Sequence, residues 1–153
     1  SAGTIANNQH GVQEINVDES AADPDDLTGT TVFFNDDGGE VNKDSTATTA
    51  DYGTLDSGDI LGIALNMDGG SYGQITFYDQ NSAIVSNFDL SSSSDYVMPF
   101  FTNYSSTIEI NFGGCSAFTI SSAANDENGY GNFEFAPPSG YLALCTQNLA
   151  TDG

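Results

Sequence analysis

Few residues in this chain can carry proton-transfer or nucleophilic chemistry. His10 is its only histidine, Lys43 its only Lys or Arg, and Cys115 and Cys145 its only thiols. A Ser/His/Asp or Cys/His arrangement would have to use His10, which sits in a polar N-terminal stretch that reads as solvated. Paired carboxylates are the one catalytic chemistry the composition permits, since a glycosidase sets two of them about 5–10 Å apart in a cleft. Asp59, Glu109 and Glu134 are the candidates, but Glu109 and Glu134 alternate with apolar residues and read as the outer face of strands. No phosphate loop or dinucleotide fingerprint is present, and without Arg there is no clamp for an anionic substrate. A protein without catalysis is therefore expected.

Calcium fits the sequence better. A hard cation takes about six to eight oxygens from carboxylates and carbonyls on a flexible loop. Asp23, Asp25 and Asp26 form one acidic cluster. Asp36, Asp37 and Glu40 form another, with Gly38 and Gly39 between them. Neither has the full EF-hand spacing, and solvated turn acids are the alternative. Asp68-Gly69-Gly70 reads simply as a hairpin turn. Tyr52, Tyr72, Tyr104 and Tyr130 fall in or beside loops, where an apolar ring with a polar tip suits contact with a sugar or a protein. Each could equally anchor its own loop. The two cysteines fit no zinc motif. They read either as two buried free thiols or, in an oxidising medium, as one Cys115–Cys145 disulfide.

The charge balance narrows the partners. Against 22 acids stands one base, for a formal net charge of −21, and thirteen of the acids fall in the first 59 residues. Nucleic acid is bound by Lys and Arg neutralising phosphates, so it is excluded as a partner; anionic membrane surfaces are excluded on the same ground. No apolar run approaches the ~18 residues of a membrane helix. Such a charge keeps a chain soluble and is screened by salt, which suits a saline or extracellular setting. A chain that opens at Ser1 is expected to be a processed product or a module of a longer polypeptide.

Helical periodicity is nearly absent. Short aromatic and β-branched runs alternate with Gly, Ser, Asn, Asp and Thr, the pattern of an all-β chain. The expected strands are Gly11 to Val17, Thr31 to Phe34, Ile60 to Met67, Gln74 to Tyr78, Ile84 to Phe88, Tyr96 to Phe101, Thr107 to Phe112, Phe118 to Ser121, Asn132 to Phe135 and Tyr141 to Cys145. Ile60 to Met67, apolar on both faces, reads as a central strand. Pro99 marks an edge strand or a bulge, because proline cannot donate to a ladder. In Thr107 to Phe112, Ile108, Ile110 and Phe112 read as core-facing. Strands spaced by roughly ten residues indicate an antiparallel sandwich or barrel.

Gly58-Asp59-Ile60-Leu61-Gly62-Ile63-Ala64-Leu65-Asn66-Met67-Asp68 followed by Ile75-Thr76-Phe77-Tyr78 resembles the central hairpin of SPRY-type domains. Asp51-Tyr52-Gly53 stands where the family has its preceding "YG", and Asn111-Phe112-Gly113 resembles its late "NFG". Asn128 to Phe133 and Ala136 to Leu149 are similar to the closing segment of SPRY-like modules in bacteriophage virion proteins. The chain departs from the family in lacking Trp, in having no evident opening strand before Gly11, and in carrying Asp79-Gln80-Asn81 in place of a Lys-bearing turn. The resemblance implies a concanavalin A-like (SPRY-like jelly-roll) β-sandwich of two antiparallel sheets over 29–149, after an acidic segment 1–28 and before a tail 150–153. It further implies a non-enzymatic virion structural or adhesion module on a phage fibre or capsid surface. Its partners would be other virion subunits or a host surface protein or glycan, either as a homo-oligomer or as part of a larger chain. A secreted lectin-like carbohydrate-binding module, using calcium, is the alternative.

Overall fold

Thr31-Val32-Phe33-Phe34 combines β-branched and aromatic side chains, which fit a pleated, buried surface, and forms β2 (Thr31–Asn35). The computed structural model of the protein describes residues 8–14, 31–44, 46–90, 97–103, 106–114 and 119–152. The chain divides into two compact units, Ser1–Ser106 and Thr107–Gly153. The division falls inside the 29–149 span read from the sequence as a single sandwich.

The first unit holds two antiparallel sheets. β1 (Gln9–Glu14), β2, β3 (Glu40–Lys43), β4 (Thr46–Ala47) and β8 (Val97–Thr102) form a five-stranded sheet in the order β4-β3-β2-β1-β8. The other sheet has the order β5-β6-β7, from β5 (Leu61–Asn66), β6 (Gln74–Asp79) and β7 (Ser82–Asp89). The sheets pack as a sandwich. Val12, Val32, Phe34 and Val41 from the larger sheet meet Ile75, Phe77 and Val85 from the smaller one, with Leu55 and Leu90 closing the cluster. The rings of Phe34 and Phe77 span the layers at 5.8 Å. Full burial of each such ring contributes roughly 1.5–3 kcal/mol.

Side-chain alternation places Ile75 and Phe77 inside, as expected. The β6–β7 turn is Gln80-Asn81, both at positive φ (45° and 69°), as a two-residue type I′ hairpin requires. Among the described residues β8 pairs only with β1, so Pro99 sits on the edge of this sheet, opposite Val12. β1, drawn from the acidic segment 1–28, is flanked by β2 and β8. Its Gly11 lies between Phe33 and Phe100, whose rings meet at 5.7 Å on the sheet face away from the sandwich core.

Several strand expectations are corrected. Ile60 to Met67 yields β5, an edge strand rather than a central one. Leu61, Ile63 and Leu65 pack on the core, and the opposite face is Gly62, Ala64 and Asn66, so smallness mimicked two-sided burial. Thr107 to Phe112 is not a strand: Ile110 and Phe112 are 43% and 42% exposed. There Asn111 diverts the backbone, donating to the Asn132 carbonyl and accepting from Gly113 N–H, and Gly113 turns the chain at φ 94°. Of the expected strands Asn132 to Phe135 and Tyr141 to Cys145, the first makes a single antiparallel bridge, Phe133 with Ala124, and the second makes none. Thr119 to Ser121 is likewise not strand, and Phe118 lies outside the described residues. The second unit ends in the short helix α1 (Thr146–Asp152), which no periodicity announced.

Candidate functional site

The polar groups of the first unit serve the fold. His10 is buried in β1, its ring 6.1 Å from Phe101 and its Nε2 3.8 Å from Asp36 Oδ2. Burial lowers the His10 pKa, outweighing the attraction of Asp36. Asp36 is buried as well and accepts from Asn8 N–H at 2.8 Å and Asn8 Nδ2 at 3.0 Å. Burial raises its carboxyl pKa despite those donors. His10 is thus a core residue rather than the solvated terminal one expected.

The acids of the Asn35–Glu40 turn do not converge on one point. Asp36 faces inward, Asp37 is exposed, and Glu40 accepts from Asn35 Nδ2 at 3.0 Å. Among the described residues no group of three His, Cys, Asp or Glu side chains could hold a metal ion. Asp23, Asp25 and Asp26 lie outside the described residues. Of the tyrosines, Tyr52 packs against the sandwich core and its N–H donates to the Gly39 carbonyl, so it anchors its loop. Tyr72 is exposed in the β5–β6 turn. Tyr104 lies outside the described residues.

Tyr130 belongs to a built site in the second unit. Asp126 organises it. One carboxylate oxygen accepts from the N–H groups of Asn128 and Tyr130, at 3.0 and 2.8 Å. The other accepts from Ala143 N–H and Asn148 Nδ2, at 2.8 and 2.6 Å. Asn148, on α1, also donates to the Ala143 carbonyl and accepts from Asn128 Nδ2. Burial pushes the Asp126 carboxyl up, but the donors from Ala143, Tyr130, Asn148 and Asn128 outweigh it and hold it below the usual range. One carboxylate therefore ties the Asp126–Tyr130 turn to the chain at Ala143 and to α1.

Beside this knot lies an open depression of about 470 Å³, lined by Phe112, Tyr130, Leu144, Cys145, Thr146 and Gln147, with the Gly113, Gly114 and Gly131 backbone. Close approach fixes two of these glycines. A Cβ on Gly113 would sit 2.9 Å from Ala143 Cβ and from the Phe133 ring, and one on Gly131 would overlap that same ring. Cys145 is a half-buried free thiol on the wall; Cys115 lies outside the described residues. Among the described residues no ionisable carboxylate or amine lines the depression.

Glu134 accepts from Ser121 N–H and Oγ, and these donors lower its carboxyl pKa. That is opposite to what a general acid needs. Sequence reasoning singled out Tyr130 but missed Asp126, Asn128 and Asn148. The Asn125-Asp126-Glu127-Asn128-Gly129 run was a turn signal that could have marked the knot's first half. Comparison with known proteins returned no match from family models, curated proteins or solved structures.

Proposed function

We propose that the chain is a non-catalytic binding module, a SPRY-like sandwich displayed on a bacteriophage virion or fibre surface, where it contacts neighbouring subunits or the host. The observation that carries the contact role is the surface of 107–152. Ile110, Phe112, Tyr130, Leu142, Leu144 and Leu149 are exposed there. Meanwhile Asp126, Glu127 and Glu134 are folded into local hydrogen bonds, Glu127 with Ser139 and Gly140 N–H. Apolar surface with these three carboxylates turned to internal work suits contact with another molecule. The virion setting is supported by the SPRY-like hairpin and closing segment. The non-catalytic reading is supported by the fate of the two candidate chemistries: His10 is a core residue, and Glu134 is a brace for Ser121.

The experiment is gradient purification of particles from cells expressing the chain's genome, with mass spectrometry of each fraction. The chain is expected to co-sediment with particles or fibres. Recovery only as a free monomer, with none in any particle fraction, would overturn the virion setting.

A further inference from the structure

We propose that the depression walled by Phe112, Tyr130 and Leu144 is a binding site for a neutral saccharide, an inference that rests on the binding-module reading above. Its volume, about 470 Å³, lies in the ~300–1,000 Å³ range of small-molecule sites. Its walls stay open to water: Tyr130 is 40% exposed and Leu144 53%. An open depression suits one or two units of a longer chain rather than an engulfed ligand.

The lining chemistry selects the class. A pyranose presents an apolar C–H face and a rim of hydroxyls. Phe112 and Tyr130 line the depression with rings for the face. Thr146 and Gln147 supply a hydroxyl and an amide for the rim: the Thr146 hydroxyl donates to Gln147 Oε1 at 3.3 Å, which leaves the Thr146 oxygen as an acceptor and the Gln147 amide N–H groups as donors. An anionic ligand would meet no Lys or Arg here and the field of a chain at −21. A cationic ligand would be drawn to the chain but would find no carboxylate among the described lining residues.

The site is also held in place before any ligand arrives. The Tyr130 N–H is fixed by Asp126, and the Tyr130 carbonyl accepts from Asp126 N–H at 2.8 Å. The same carboxylate holds Ala143, next to Leu144, and Asn148, next to Gln147. A preformed wall lowers the ordering cost that limits weak ligands.

The test is saturation-transfer NMR and titration calorimetry on the full chain. The probes are methyl α-mannoside, N-acetylglucosamine and maltotriose, with N-acetylneuraminic acid as the anionic comparison. At least one neutral probe is expected to bind with a dissociation constant of about 1 mM, and the anionic probe to bind more weakly. Tyr130→Ala should weaken binding about tenfold or more. Tyr72→Ala, in the β5–β6 turn, should leave it unchanged. A thermal melt establishes that Tyr130→Ala is folded; if it is not, Tyr130→Phe, which keeps the ring, should bind, and Gln147→Ala should bind more weakly than wild type. The proposal is overturned if no neutral probe binds, if Tyr130→Ala (or, in its place, Gln147→Ala) binds like wild type, or if N-acetylneuraminic acid binds as tightly. The two readings fail separately. A chain that co-sediments with particles but binds no saccharide loses this site alone. One that binds saccharide but never joins a particle loses the virion setting alone.

Discussion

Replacing Gly11 with alanine should destabilise the sandwich, although Gly→Ala inside a strand ordinarily stabilises by roughly 0.5–1 kcal/mol. The reversal comes from the approach of β2 to β1. A Cβ on Gly11 would overlap the Val32 carbonyl oxygen and lie 2.6 Å from Phe33 Cα and 2.9 Å from Phe33 Cβ. Two of these three atoms are backbone, so no rotamer change relieves them. β2 would have to retreat by on the order of 1 Å to restore van der Waals contact. That strand is hydrogen-bonded to β3 on its other side and carries Phe34 into the Phe77 contact. Overpacking of this kind costs about 1–3 kcal/mol. At about 2 kcal/mol the melting temperature of a ~100-residue unit falls by roughly 8–16 °C. Gly38→Ala is the internal comparison. Its Cβ would also overlap an atom, but the Glu40 carboxylate, which can swing into solvent. The loss there is the part-buried Asn35–Glu40 side-chain bond, on the order of 1 kcal/mol. Thermal and urea melts followed by far-UV circular dichroism read both variants. If Gly11→Ala melts at or above wild type, or no lower than Gly38→Ala, the close-approach argument is wrong.

Four further outcomes follow from the electrostatics. Burial, then Asp59 and Asp56, raise the Asp79 pKa. A raised carboxyl contributes stability below its unfolded value and loses it as pH rises through the folded one, so Asp79→Asn should raise the melting temperature at pH 7 and not at pH 3. His10 has the opposite sign of problem: its pKa is lowered, so the neutral ring is favoured and stability is lost as pH falls from the ordinary histidine range through the folded value. Melts between pH 7 and 5 should show that loss, and His10→Phe, beside Phe101, should remove it; an unchanged slope would count against the buried neutral ring. For Asp126, held below the usual carboxylate range, stability is present above that range and lost as pH falls through the folded value; Asp126→Asn should abolish that acid dependence and broaden the Tyr130 resonances. Raising NaCl from low concentration to about 1 M, where the Debye length is about 3 Å, should raise the melting temperature of wild type, and a fall instead would show that repulsion among the acids does not limit stability.

The sandwich was readable where sequence carried its own punctuation. Ile75 and Phe77 alternate with Thr76 and Tyr78 between Gly-rich turns, and Pro99 cannot sit inside a sheet; both signals are local, and both held. β3 and β4 were not readable, because Glu40-Val41-Asn42-Lys43 and Thr46-Ala47 have neither length nor alternation and exist through pairing with β2 and with each other. After Thr102 the same local signals misled. Ile108, Ile110 and Phe112 alternate as a strand should, but alternation specifies a face, not a partner, and Asn111 spends the local backbone groups on a turn. Asp126 could not be recognised as a hub from sequence, since its partners Ala143 and Asn148 lie 17 and 22 residues away. Tyr130 was legible as a loop aromatic, while the depression around it depends on Phe112 and Leu144, which read as strand residues.

The extreme acidity of the chain has a second meaning once hydrogen bonds are traced. Lys43, the only Lys or Arg, makes no ion pair with a carboxylate among the described residues: its Nζ donates to the Asp89 carbonyl at 2.7 Å and lies over the Phe88 ring. Carboxylates therefore have to find neutral donors. Asp44 takes Thr31 N–H, Asp51 takes Gly53 N–H, Asp59 takes Asp56 N–H and Gln80 Nε2, and Asp89 takes Gln74 Nε2. Hydrogen bonds from backbone N–H and amide groups to a charged acceptor are stronger than neutral ones. Unlike ion pairs, they lose little to screening, because the donor carries no net charge. Salt can then remove the long-range repulsion among acids while leaving the turns they brace intact. A sequence that fills its loops with Asn, Gln, Ser, Thr and Gly beside Asp and Glu supplies such donors at nearly every turn. In this chain the acids are structural acceptors as well as a charged coat, and the Asp126 knot behind Tyr130 is the densest case among the described residues.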